Sequence, residues 1–192
     1  MAVKPDRTGC VGNTIKVAGG HYVDLANPDP STIDIETVAS ALSKLCRFGC
    51  HCPRFYSVAE HSVHAMKLAR DDGFRGDALR AVLLHDAAEA YIGDVVKPLK
   101  VMLPDYRAVE ERMELAVEVR FGIDYARWGT AVKRFDLMML KAEKCEMWPE
   151  DTEQWEGFAD IPRRHVSFRF WEPRMAELQF LRIANELDVD PA

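Results

Sequence analysis

Three stretches of this 192-residue chain carry imidazole or carboxylate groups where apolar side chains belong. His61 interrupts a stripe of Val58, Ala65 and Leu68, and Asp136 shares a helical face with Val132, Met139 and Leu140. His85 and Asp86 close the run Ala81-Val82-Leu83-Leu84. Burying such groups costs free energy unless they are hydrogen-bonded or hold a metal. A lone histidine on an apolar face is most often a satisfied core residue. A His-Asp pair ending a Leu-Leu run is harder to explain that way. Adjacent helical residues diverge by ~100°, so both reach one ion only if it lies across the front of their helix. Two imidazoles and two carboxylates form a mixed nitrogen and oxygen set suited to Zn²⁺, Mn²⁺, Fe²⁺ or Co²⁺. The chemistry points to a metal site without selecting these four residues by itself.

The elements that must position these groups read as helices. Asp34 is placed to cap a helix with Ile35, Val38, Ala39, Leu42 and Leu45 on one stripe, ending near Arg47 ahead of Gly49 and Pro53. Ser57-Val58-Ala59-Glu60 has capping-box spacing and opens a helix that runs to about Asp72. Further helices are expected from Asp77 to Ile92 (stopped by Gly93), from Asp105 to Arg120 (stopped by Gly122) and from Thr130 to Met147. A last one runs from Glu172 to Leu187, with Pro173 in its first turn. Ahead of them, Thr14–Val17 and His21–Asp24 flank Gly19-Gly20 as a short β-hairpin within 14–25. Residues 1–13 are polar and expected to be flexible. No repeat or linker divides the chain, so the expectation is a single all-α domain, 1–192, with a small hairpin appended.

Composition narrows the function. Apolar residues make up 48 % and charged residues 29 %, with a formal net charge of −6. That balance argues against a nucleic-acid binder relying on a basic surface. No run approaches the ~18 apolar residues of a membrane span, and no signal-peptide core is visible, so a cytoplasmic location is expected. The five cysteines are expected as free thiols. Cys46, Cys50 and Cys52, with His51 among them, admit a small zinc site but lack paired C-x-x-C knuckles. Trp148, Trp155 and Trp171 read as core or interface anchors rather than base-stacking residues.

His61, His85-Asp86 and a distant Asp136 follow the H…HD…D pattern, and here the chain resembles the HD-domain phosphohydrolases. The segment from His85 to Lys100 is similar to H-D-x-x-E-x-x-x-G-D-x-x-x-P-x-K, which marks bacterial 5′-deoxynucleotidases and short phage dATP triphosphohydrolases. Leu45 to Gly49, followed by Phe55 to Ser62, resembles the family's stretch from a phosphate-binding arginine to the first metal-ligand histidine. The resemblance covers about residues 33 to 145 and implies an HD-domain helical bundle. It implies a divalent metal (Zn, Mn, Co, Fe or Mg) held by His61, His85, Asp86 and Asp136. Asp124 is the nearest competitor for the fourth place.

The resemblance also assigns roles. Arg47 would clamp phosphate, although helix ends commonly attract a solvated cation for other reasons. Glu89, four residues after His85, would orient or deprotonate the attacking water, and Asp94 would contact sugar or water at the rim. His64 and Lys97 are further candidate phosphate contacts. The implied substrate is a deoxyribonucleotide. The compact length, the hairpin and Phe48, where a bacterial deoxynucleotidase would carry Trp, favour a dNTP triphosphohydrolase preferring dATP. A 5′-deoxynucleotidase acting on dNMPs remains the alternative, and a non-catalytic nucleotide-binding sensor or a structural metal site stands as the reading of another class. A homo-oligomer is implied, with the helices at 105–120 and 172–187 as its interface, in the cytoplasm of a bacterium or of a phage-infected cell.

Overall fold

Asp34 caps the first helix as its position suggests, its carboxylate accepting from the Thr37 amide at 2.6 Å. The computed structural model describes residues 8–190; the expectation for residues 1–7 lies outside them. Among the described residues the chain is all-α apart from one antiparallel hairpin, β1 (Thr14–Lys16) and β2 (Tyr22–Asp24), in which Ile15 pairs with Val23. The helices are α1 (Ile35–Leu42), α2 (Val58–Asp71), α3 (Asp77–Leu83), α4 (Glu89–Ile92), α5 (Lys97–Met102), α6 (Pro104–Phe121), α7 (Tyr125–Met147) and α8 (Pro173–Glu186). No helix among the described residues is long and apolar enough to cross a membrane.

The α2 helix is the axis of the molecule. Every residue from Val58 to Met66 is buried, because α3, α7 and α8 all pack on it. Its ionisable members are therefore held by specific partners rather than by water, whereas the Ser62 hydroxyl has no protein partner. Ser57 accepts the Glu60 amide at 3.1 Å, which forms half of a capping box. The other half is not made. The Glu60 carboxylate instead takes three backbone amides of the approach to α8, from Arg169 at 2.7 Å, Phe170 at 2.9 Å and Trp171 at 2.6 Å. Burial opposes ionisation of Glu60, but His64 and the Trp171 and Arg169 amides outweigh it and lower its pKa.

Three boundaries differ from the periodicity, one of them the start of α7, which lies at Tyr125 after the Asp124 cap rather than at Thr130. The first helix stops at Leu42, a turn before Arg47. Arg47 is extended instead, its amide bonded to the Tyr56 carbonyl at 2.9 Å, while Val58 donates to Leu45 at 3.0 Å. Residues 45–58 thus close into a loop with Arg47 at its base. The third difference is at the His-Asp pair. Helix α3 ends at Leu83, and the chain turns through 84–88 before α4 begins. The carbonyls released by this break find other donors: the His85 ring reaches Val82 O at 2.8 Å, and the Tyr125 hydroxyl reaches Leu84 O at 2.9 Å. The Leu84 carbonyl also takes the Ala87 amide at 2.9 Å within the turn, so the Tyr125 hydroxyl is its second donor. Helix α5 was not anticipated; none of its residues is buried.

Candidate metal centre

Four side chains from three parts of the chain meet beside α2. His61 projects from α2, His85 and Asp86 from the turn after α3, and Asp136 from α7. His61 Nε2 lies 3.3 Å from His85 Nε2, 3.7 Å from Asp86 Oδ2 and 3.6 Å from Asp136 Oδ1. His85 Nε2 is 3.3 Å from Asp86 Oδ2 and 4.0 Å from Asp136 Oδ1. Potential ligand atoms of His61, His85 and Asp86 all fall within 4.8 Å of one another, and no other group of three or more His, Cys, Asp or Glu does so among the described residues. The Cys46, His51, Cys50 and Cys52 stretch forms no such group. Asp124, the competitor for the fourth place, is occupied as the N-cap of α7, accepting from the Arg127 amide at 2.8 Å.

The hydrogen bonds around the histidines decide what the centre can hold. His61 Nδ1 donates to Glu143 Oε1 at 2.6 Å, and His85 Nδ1 donates to the Val82 carbonyl at 2.8 Å. A neutral imidazole that donates through Nδ1 presents a lone pair at Nε2. Both Nε2 lone pairs therefore face each other and two carboxylate oxygens. His61, His85 and Asp86 bring three acceptor atoms within 4.8 Å of one another, and Asp136 Oδ1 lies 3.6 and 4.0 Å from the two histidines; such acceptors repel unless a cation lies among them. A divalent ion with nitrogen and oxygen ligands fits that demand, and a carboxylate or carbonyl behind each histidine is the usual support for a metal-bound imidazole. Lys133 Nζ, one turn away, donates to Asp136 Oδ2 at 2.9 Å and helps to keep this carboxylate ionised.

Glu143, absent from the sequence reading, ties this centre to Arg47. It is fully buried, bonded to His61 on one oxygen, and receives Arg47 Nη2 on the other at 3.2 Å. Burial raises its pKa, but Arg47 and His61 dominate and bring it down to about 2. It follows Asp136 by seven residues on α7, two helical turns along the same face. That spacing was the available signal. Arg47 Nη1 also lies 3.5 Å from Asp86, and Arg47 Nε is buried without a protein partner.

The other candidates divide. Glu89 is buried in α4, and its Oε1 accepts from Lys100 Nζ at 3.1 Å while Oε2 has no protein partner. Burial, then the charges of Asp86 and Asp94, push its carboxyl well above the ordinary value. Because α3 and α4 are separate, Glu89 does not share a continuous helical face with His85; the turn carries it beside Asp86. Asp94 is raised by burial and by Asp86, against the pull of Arg47 and Lys100. Lys97 is exposed at the start of α5, and Lys100 is the lysine turned inward, bridging Glu89 and Glu110. His64 is engaged elsewhere, 3.3 Å from Glu60 and stacked on Trp171. Trp148 and Trp155 pack around Phe48, next to Arg47.

No family model matches the chain. It is 38 % identical over 146 residues to the Uncharacterized protein YfdR of Escherichia coli (strain K12), spanning 76 % of this chain and 78 % of that protein. It is 36 % identical over 150 residues to the Uncharacterized protein RCAP_rcc00048 of Rhodobacter capsulatus, spanning 76 % of this chain and 74 % of the relative. The chain belongs to the same protein family as YfdR.

Proposed function

We propose that this protein is a divalent-metal-dependent phosphohydrolase of the HD kind, acting on deoxyribonucleotides. The finer reading is a dNTP triphosphohydrolase that prefers dATP. The observation that carries the proposal is the meeting of His61, His85 and Asp86 as a group able to hold a metal ion, with Asp136 3.6 Å from His61 and the buried cation Arg47 3.5 Å from Asp86. The triphosphate preference rests on the resemblance to the short phage enzymes and on Phe48 following Arg47.

His61, His85, Asp86 and Asp136 would hold a divalent ion, which would supply Lewis acidity and lower the pKa of bound water. Water adds at the α-phosphorus, the bond to the 5′ oxygen breaks, and deoxynucleoside and triphosphate leave. Arg47, kept charged by Glu143 and Asp86, is the cation placed to meet the phosphoryl oxygens on which negative charge develops. Glu89 receives a proton on the unpartnered Oε2, a role suited to a carboxyl whose pKa is raised. Asp94 borders the same space. Exposed Leu115 and Val119 on α6 and Met175 and Leu178 on α8 support the homo-oligomer implied by the resemblance.

The test is a product assay with Mn²⁺, Co²⁺, Zn²⁺ or Mg²⁺ across the common NMPs, dNMPs, NTPs and dNTPs. Deoxynucleoside plus triphosphate, fastest from dATP, is the expected result. Orthophosphate from dNMPs alone would replace the triphosphohydrolase with a 5′-deoxynucleotidase. No turnover with metal bound would leave a nucleotide-binding sensor.

A further inference from the structure

The loop that presents Arg47 is bracketed by two thiols in contact. Cys46 Sγ and Cys52 Sγ are 3.4 Å apart, both residues are partly exposed, and neither is bonded covalently. A disulfide has its sulfurs at about 2.05 Å, so bond formation needs an approach of roughly 1.4 Å. The backbone brings them together. Cys46 is fixed by its bridge to Ser57, and the chain between the thiols reverses through Phe48, Gly49 and Cys50, all at positive φ (57°, 59° and 66°). Two of these three are not glycine, so the turn holds strain that the surrounding contacts sustain. Cys52 Sγ also points at the Arg47 carbonyl, 3.7 Å away. The thiols do not converge with His51 as a metal-ligand set, which leaves thiol chemistry as their use.

We propose that Cys46 and Cys52 are a site of reversible disulfide formation, oxidised by hydrogen peroxide and reduced by a dithiol. Peroxide converts one thiol to a sulfenic acid with release of one water. The second thiol's sulfur attacks that sulfur, and the hydroxyl departs with the second thiol's proton as another water. Two thiols lose two electrons and two protons, and one peroxide becomes two waters. The product ties the two ends of the Arg47 loop and removes the Cys52 thiol hydrogen from the Arg47 carbonyl. Cys10 and Cys145 lie outside the contact. The inference stands on the thiol geometry and is independent of the hydrolase reading.

The experiment uses the full chain, reduced, freed of reductant, treated with equimolar hydrogen peroxide, blocked with iodoacetamide and digested with trypsin. Cleavage after Lys44, Arg47 and Arg54 separates Cys46 from Cys52. The expected result is a linked pair, residues 45–47 joined to 48–54, two hydrogens lighter than the reduced peptides and released by dithiothreitol. Cys50→Ser retains the link, while Cys46→Ser and Cys52→Ser each lose it. Full alkylation of all three thiols after peroxide overturns the proposal, as does a link that survives Cys52→Ser, since Cys50 would then be the partner. The folded chain must cross-link faster than the same chain in concentrated urea; equal rates would also overturn it.

Discussion

Glu143→Ala tests the coupling between the metal centre and the phosphate clamp. The wild-type carboxylate is fully buried, 2.6 Å from His61 Nδ1 and 3.2 Å from Arg47 Nη2. Removing it strands a buried guanidinium and leaves the His61 donor unpaired. Breaking a buried pair from one side costs about 3–5 kcal/mol. Arg47 keeps Asp86 at 3.5 Å, which offsets part of that loss, so the expected cost is at the lower end, about 3 kcal/mol. For a chain of this size each kcal/mol lowers Tm by roughly 2–4 °C, so the shift is roughly 6–12 °C. Losing the carboxylate behind His61 also weakens divalent binding by about 10–100-fold. Glu143→Gln still offers an oxygen to Nδ1 but turns its NH2 toward the Arg47 guanidinium, so it keeps metal binding closer to wild type than Ala does while recovering little of the lost stability. Thermal melts followed by circular dichroism with chelator present read the first effect, and Mn²⁺ titration calorimetry reads the second. The argument fails if Glu143→Ala melts with wild type and binds Mn²⁺ with unchanged affinity.

Three further expectations follow from the same geometry. His61→Ala, Asp86→Ala and Asp136→Ala each abolish turnover, while Glu89→Ala slows it with metal still bound; full activity and metal content in Asp136→Ala would remove Asp136 from the ligand set. Asp124→Ala costs about 1 kcal/mol through the lost α7 cap and leaves the metal stoichiometry at its wild-type value; a loss of metal instead would make Asp124 the ligand. Glu60 has a folded pKa below its ordinary 4.5, so its stabilising effect is complete above that value and is lost as pH falls through the lowered one. The stability difference between wild type and Glu60→Gln in urea titrations should therefore shrink from pH 7 to pH 3, and a constant difference would contradict this account.

The helical class, the hairpin around Gly19-Gly20, the Asp34 and Ser57 caps and the glycine stop at Gly122 were legible in the sequence. Each is set within a turn or two by neighbouring residues: a cap bonds an amide two or three positions on, and periodicity shows a helix which face it will bury. His61, His85, Asp86 and Asp136 stood out for a related reason, as polar groups on apolar faces. The tertiary structure decided what these local rules could not reach. At the break after Leu83 the Tyr125 hydroxyl, 41 positions from Leu84, adds a second donor to a carbonyl that also takes the Ala87 amide. That break, rather than one continuous helical face, lets adjacent His85 and Asp86 share a centre. The tautomer of His61 is set by Glu143, 82 positions along the chain. Glu60 was read as the local half of a capping box, but α2 is buried on all sides and the amides before α8 claim the carboxylate. Local sequence chooses each helix and its polar exceptions; only packing chooses the partner of each buried polar group, because that partner must come from whichever element lies against it.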